Sequence, residues 1–195
     1  MTSVARRLRA DAQRNREQLL AAAVAAFSAD GPEMTLESIA RSAGVGIGTL
    51  YRHFPSREAL VDAAYRSELA RLCDSVCGLL ESGPADRALR AWLELFGEYM
   101  TTKRGMADAL RMVVASGGDP FTESRGRLQT AFAALLAAGA ADGTLRADID
   151  AADVLASASG IWLAVGEPAQ RAQAGRLVDL LMDGLRYGAN PGHHG

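Results

Sequence analysis

Between Thr35 and Pro55 two short helix-forming segments are separated by one glycine-containing turn, and few folds accommodate that arrangement. Thr35 stands at the cap position ahead of Leu36 to Ala43, where its hydroxyl can accept a first-turn N–H, and Ile39 and Ala40 fall on one face. Gly44 follows at the place where helices commonly end in a left-handed residue. Val45 buries the turn, Ile47 to Phe54 form the second helix, and Pro55 stops it. Together these predict a helix-turn-helix over residues 35–54.

The flanking sequence keeps the helical period. Leu19, Leu20, Ala23, Val24 and Phe27 predict an amphipathic helix from about Gln13 to Ala29, ended by Asp30-Gly31-Pro32. Ser56 offers a cap for a long helix from Arg57 to about Leu80, broken by Glu81-Ser82-Gly83-Pro84. Five further helices follow: Ala85 to Thr102, Met106 to Ala115, Thr122 to Ala141, Ala151 to Val165, and Pro168 to Tyr187. Ala and Leu dominate over Val, Ile and Thr, and only 6% of residues are aromatic, so the expected fold class is all-α. The last two helices carry more apolar surface than an isolated domain needs (Val154, Leu155, Ile161, Trp162; Leu177, Val178, Leu180, Leu181, Leu185), which suits pairing with a second copy. The final GANPGHHG has no periodicity and reads as a frayed tail, with His193 and His194 in solvent.

The net charge of -2 hides an asymmetry. Residues 1–57 hold eight arginines against five acids, a formal +3, which leaves -5 for the remainder. A basic head on an acidic body fits a nucleic-acid-binding element joined to a domain with another task. No apolar run approaches the roughly 20 residues of a membrane span, and MTSVARRLRADAQRNR lacks the apolar core of a signal peptide, so a cytoplasmic protein is expected.

A helix that enters the major groove brings small residues to the bases and anchors its flanks on phosphates. Gly46-Ile47-Gly48-Thr49 supplies the small end: Gly48 permits close approach, Ile47 can touch a thymine methyl, and Thr49 offers a hydroxyl. Tyr51, Arg52 and His53 can donate to phosphates, and Arg57 begins the next helix, where its charge and the helix N-terminus both attract a phosphate.

The run IARSAGVGIGTLYRHFPSREALVDAAY resembles the TetR family of transcriptional regulators over about residues 13–72. The resemblance implies an N-terminal three-helix DNA-binding head (13–72), joined by a long linking helix to a C-terminal helical domain (73–188) that binds an effector and dimerises. It also implies that Thr35, Gly46 to Thr49, Tyr51, Arg52, His53 and Arg57 match positions that commonly contact DNA. Where relatives often carry Ser, this chain has Gly46, which removes one phosphate-contacting hydroxyl, and Ile47 is apolar at a position that often reads bases. Specificity then depends more on Thr49, Arg52 and DNA shape.

In the body, Trp92, Phe96, Met100, Met106, Leu110, Phe121, Phe132, Leu136, Ile161 and Trp162 read as core by spacing, and the resemblance makes several of them candidates to line an apolar effector cavity. Tyr99, Asp108, Arg111 and Glu167 are the polar groups nearest to orient a ligand. Cys73 and Cys77 lie one turn apart, where a disulfide strains a helix and no further ligand completes a metal site; small packing residues are the expected reading, with a thiol sensor as the alternative. His53 has no Asp, Ser or Cys at a spacing that suggests a triad, and neither catalysis nor a cofactor is expected.

The sequence thus predicts a dimeric, ligand-responsive transcriptional repressor on a palindromic double-stranded DNA operator, paired through its last two helices. One rival is a helical ligand-binding protein or enzyme whose head does not bind DNA specifically. The other is a DNA-binding protein without an effector.

Overall fold

The computed structural model describes residues 2–29, 34–165 and 168–189, and every regular element among them is helical. The expected all-α class is therefore met. The predicted Asp30-Gly31-Pro32 stop, Glu167 and the 190–195 tail with His193 and His194 lie outside the described residues. The chain divides into two compact units, Met1–Glu68 with Thr102–Pro120, and Leu69–Thr101 with Phe121–Gly195.

In the first unit, α1 (Thr2–Ala29) begins well before Gln13, where the apolar period starts. The earlier residues are rich in Ala and Arg, whose intrinsic preference extends a helix that needs no new nucleus. Among its described side chains Leu19, Leu20, Ala23, Ala26 and Phe27 are buried. The α2 helix (Leu36–Ser42) is capped by Thr35, whose Oγ1 accepts the N–H of Ser38 at 3.2 Å. Gly44 adopts φ +69°, a region open to glycine at little cost, and Val45 donates its N–H to Ala40 O at 3.0 Å.

The turn delivers α3 (Ile47–His53), a helix too short to persist alone. Leu50 is its one buried side chain and Phe54 its buried C-cap. Each anchors α3 with about 2–3 kcal/mol of apolar burial. Phe54 takes φ −136°, ψ 100°, the extended conformation that a following proline imposes. Ser56 Oγ then accepts the N–H of Ala59 at 3.1 Å, starting α4 (Arg57–Glu81), which contributes Leu60, Val61, Ala64 and Tyr65 to the core. The unit is completed by α6 (Ala107–Ala115), which buries Ala109, Leu110 and Val113 behind its buried N-cap Met106.

The second unit holds the remainder of α4, most of α5 (Ala85–Gly105), α7 (Thr122–Ala141), α8 (Ala151–Ala164) and α9 (Arg171–Arg186). The predicted last helix starts instead as a 3-10 turn, Pro168–Gln170. Trp92, Phe96 and Phe132 are fully buried and pack on one another: ring centroids are 5.7 Å apart for Trp92–Phe96, 4.8 Å for Trp92–Phe132 and 5.9 Å for Phe96–Phe132. The indole N–H of Trp92 donates to Leu72 O at 3.0 Å, so its burial leaves no unmet donor. The N-terminus of α5 is capped from a distant loop: Asp142 Oδ2 accepts the N–H of Ala85 at 2.8 Å and Thr144 Oγ1 that of Asp86 at 3.2 Å. Among the described residues no helix is long and apolar enough to cross a membrane.

Candidate nucleic-acid interface

The surface of α3 is built by what it does not bury. Gly46, Ile47 (36% exposed), Gly48, Tyr51 (47% exposed) and Arg52 are exposed, while Thr49 and His53 are half-buried beside them. Small residues therefore sit at the start of α3 and aromatic and basic ones at its end, on a scaffold held by Leu50 and Phe54. No side chain caps α3, so first-turn N–H groups without an intrahelical acceptor are left uncovered there.

Gly46 is the N-cap of α3, where glycine is well tolerated, whereas Gly48 has no reason within the chain. Neither has a positive φ, and a Cβ built on Gly46 or Gly48 meets nothing within 4 Å. A glycine inside a helix costs up to about 1 kcal/mol relative to alanine. Gly48, inside α3, costs stability, fills no tight space and sits on an exposed face beside Tyr51 and Arg52, which points to a rationale outside the protein.

Thr35 is exposed, yet its hydroxyl is engaged as the α2 cap. Arg57, expected to face a phosphate, is half-buried and has internal partners. Its guanidinium lies 4.9 Å from the Phe27 ring centroid and donates to the carbonyl of Met34, so it ties α4 to α1 and to the segment before α2. Periodicity alone could not show this, because an arginine at a helix start serves an internal carbonyl and a phosphate equally well.

The candidate effector residues are distributed over the two units. Met106 and Leu110 are buried in the first unit; Trp92, Phe96 and Phe132 form the closed aromatic cluster of the second, where Leu136 is also buried and Met100 is half-buried. Trp162 lines a cavity of about 230 Å³ with Arg90, Glu94, Glu98, Arg171 and Val178. Of the other residues considered, Phe121 is exposed and Ile161 half-buried. Tyr99 is buried, whereas Asp108 and Arg111 form an exposed ion pair with each other in the first unit.

A larger open groove, about 580 Å³, runs between α4 and α7 and is lined by Cys73, Val76, Cys77, Glu123 and Arg127 among others. Cys77 is exposed and Cys73 half-buried, so Cys77 is not the packing residue expected from its spacing. Burial pushes the Cys73 thiol above its usual range, partly offset by Arg127. The sequence signal for this groove was the one-turn spacing of the cysteines; the packing of α7 beside them makes it a cleft.

Two family models match the chain. Residues 19–64 match the bacterial regulatory proteins of the tetR family, and residues 84–187 match the C-terminal domain of SbtR-like transcriptional regulators. The HTH-type transcriptional regulator EthR of Mycolicibacterium smegmatis is 32% identical over 85 residues, 40% of this chain and 39% of that protein's length. The HTH-type transcriptional repressor KstR2 of Rhodococcus jostii is 31% identical over 144 residues, 69% of this chain and 70% of the relative. The crystal structure of a TetR transcriptional regulator from Streptomyces coelicolor superposes with a TM-score of 0.84 at 59% identity, over 88% of this chain and 98% of that one. An exposed helix-turn-helix with a small leading end and a basic aromatic flank, matched at both ends of the chain by the same family, places this protein in the tetR family of DNA-binding transcriptional regulators.

Proposed function

We propose that the chain is a ligand-responsive repressor that binds a palindromic operator as a homodimer. The observation that carries the reading is Gly48, which no internal contact requires and which, after the N-cap Gly46, opens the exposed face of α3. In this reading Gly46 and Gly48 let the α3 backbone approach the bases. Ile47 meets thymine methyls, Thr49 and Arg52 read base edges, and Tyr51 and His53 donate to phosphates. Thr35 sets the angle of α2, and Arg57 positions the start of α4 through Phe27 and Met34.

The homodimer is supported by α8 and α9, which pack on each other and expose Leu163 (70%) and Leu180 (69%). Exposed leucines of this size on adjacent elements mark an interaction surface. Two heads then present α3 to half-sites one DNA turn apart, about 34 Å. The effector belongs to the second unit, where Trp162 and its polar neighbours line a cavity and the aromatic cluster lies in the same unit. The α4 helix is continuous from the head into that unit, so a ligand that prefers one setting of α4 shifts operator affinity by its differential binding. Repression is the sign carried by KstR2, the relative matched over most of its length.

A mobility-shift titration against the DNA upstream of the protein's own gene tests this. The wild type should bind that fragment in preference to unrelated DNA, and the Tyr51→Ala, Arg52→Ala double variant should lose the preference. Equal binding of both proteins to both DNAs overturns the reading.

A further inference from the structure

Both cysteines of the chain open on the groove of about 580 Å³ between α4 and α7, which neither operator binding nor the Trp162 cavity uses. All of its lining residues belong to the second unit. Val76, Ala131 and Ala134 give it apolar walls. Burial raises the Cys73 thiol, and the charge of Arg127, which lines the same groove, offsets part of that.

One glycine keeps the groove wide. Gly126 lines it from within α7, has no positive φ, and a Cβ built there meets nothing within 4 Å. Glycine is disfavoured inside a helix, and no internal contact of α7 requires it at this position. Its effect is to leave space opposite the two thiols.

The spacing of the thiols selects what they can hold. Residues four apart on a helix share a face with Cβ atoms about 5–6 Å apart, whereas a disulfide draws its Cβ atoms to about 3.8 Å. Cys73 and Cys77 are therefore too far apart for a direct S–S bond within an intact turn of α4. One interposed atom bonded to both sulfurs lengthens the bridge, since each sulfur bond to such a centre is about 2.3 Å in the zinc thiolate case. Among the described residues no group of three or more His, Cys, Asp or Glu is placed to hold a metal ion, so the four-ligand set of a structural zinc is not assembled. Two thiols are enough for a thiophilic centre with only two exchangeable positions.

We propose that Cys73 and Cys77 form a dithiol site for an apolar organic compound that carries one thiophilic atom with two exchangeable hydroxyl groups, a trivalent organoarsenical being the type. Its hydrocarbon group lies against Val76, Ala131 and Ala134. In the capture step two As–O bonds break and two S–As bonds form. Each departing hydroxide takes the proton of one thiol and leaves as water, so arsenic stays trivalent and no oxidant or reductant takes part. Exposed Cys77 reacts first, and half-buried Cys73 closes the ring. The site does not rest on the reading of α3 as the DNA-facing helix.

The test uses the full chain and phenylarsonous acid. Wild type should take up one arsenical per chain, with loss of both titratable thiols and a mass gain of one arsenical less two waters. The adduct should resist excess glutathione, which offers single thiols, and be stripped by dimercaptopropanol, which offers a pair. Cys73→Ser and Cys77→Ser should each capture the compound about a hundredfold more weakly, the advantage that linking two contacts confers, with an unchanged helical circular dichroism signal. Gly126→Leu narrows the groove, so it should weaken capture of phenylarsonous acid several-fold and leave arsenite, which has no phenyl group, at wild-type affinity. Loss of a single thiol per arsenical in wild type, or a Cys73→Ser variant equal to it, overturns the proposal in favour of simple modification of Cys77. Arsenite bound as tightly as phenylarsonous acid, with Gly126→Leu indifferent to both, overturns it in favour of a bare thiophilic ion.

Discussion

The indole of Trp162 occupies the space that a side chain at position 97 would fill: a Cβ built on Gly97 stands 2.1 Å from Cζ2 of Trp162. The glycine thus lets α8 bring its tryptophan against α5, and Trp162 in turn lines the cavity with Arg90, Glu94, Glu98 and Arg171. Gly97→Ala is expected to displace the indole and destabilise the second unit by about 1–3 kcal/mol, the usual cost of overpacking. Urea denaturation followed by tryptophan fluorescence checks it. An unshifted midpoint contradicts the close approach.

Gly48→Ala should separate folding from recognition. With nothing within 4 Å of the new methyl and an ordinary φ, alanine stabilises α3 by up to about 1 kcal/mol. In the proposed reading the same methyl faces the DNA, so operator affinity should fall even as the urea midpoint rises. A variant that is more stable and binds equally well removes the argument from close approach.

Asp142 caps α5 across the fold and supplies a pH dependence of known sign. Desolvation raises its pKa, but the N–H of Ala85 and the hydroxyl and N–H of Thr144 together outweigh it, leaving the carboxyl below its ordinary range. A depressed folded pKa means stability that is complete above the unfolded value of about 4 and lost as pH falls through the folded one. Asp142→Ala should lower stability by about 1 kcal/mol near neutrality, as for a lost helix cap. Thermal melts at successive pH values should show wild type and variant converging only in acid.

Leu163→Glu with Leu180→Glu places charge on the exposed apolar surface of α8 and α9. Sedimentation should show a monomer with an unchanged helical circular dichroism signal, and operator affinity should collapse because two half-sites no longer bind together. A variant that remains dimeric assigns the contact to another surface.

The two cysteines should differ in reactivity. Cys77 is exposed, whereas burial raises the Cys73 thiol and lowers its thiolate fraction at neutral pH. Iodoacetamide labelling read by peptide mass spectrometry should modify Cys77 several-fold faster. Equal rates contradict the burial of Cys73.

The local part of the fold was legible because single residues impose it. Thr35 has a hydroxyl at cap distance, Gly44 tolerates φ +69°, and Pro55 forces Phe54 into the extended region. Leu50 and Phe54 recur on one side of a seven-residue helix, and the exposed side of α3 follows as the remainder. These are properties of neighbours in the chain, and they sufficed to name the family.

What lay beyond the sequence were relations between residues far apart in it. The start of α1 at Thr2 was not legible because the residues before Gln13 carry no apolar period. That Arg57 has Phe27 and the Met34 carbonyl within its reach is not visible from its place at a helix start. Cys77 has the spacing of a packing residue, yet α7 leaves a groove beside it. The caps on α5 come from Asp142 and Thr144, more than fifty residues away, and the proximity of Trp162 to Gly97 depends on how α8 meets α5. Periodicity and capping decided which segments are helices and which faces are apolar, because those follow from φ, ψ and side-chain spacing within one turn. Tertiary packing alone decided which apolar faces meet, which arginine turns inward and where space is left open, because those depend on the simultaneous fit of side chains from separate helices.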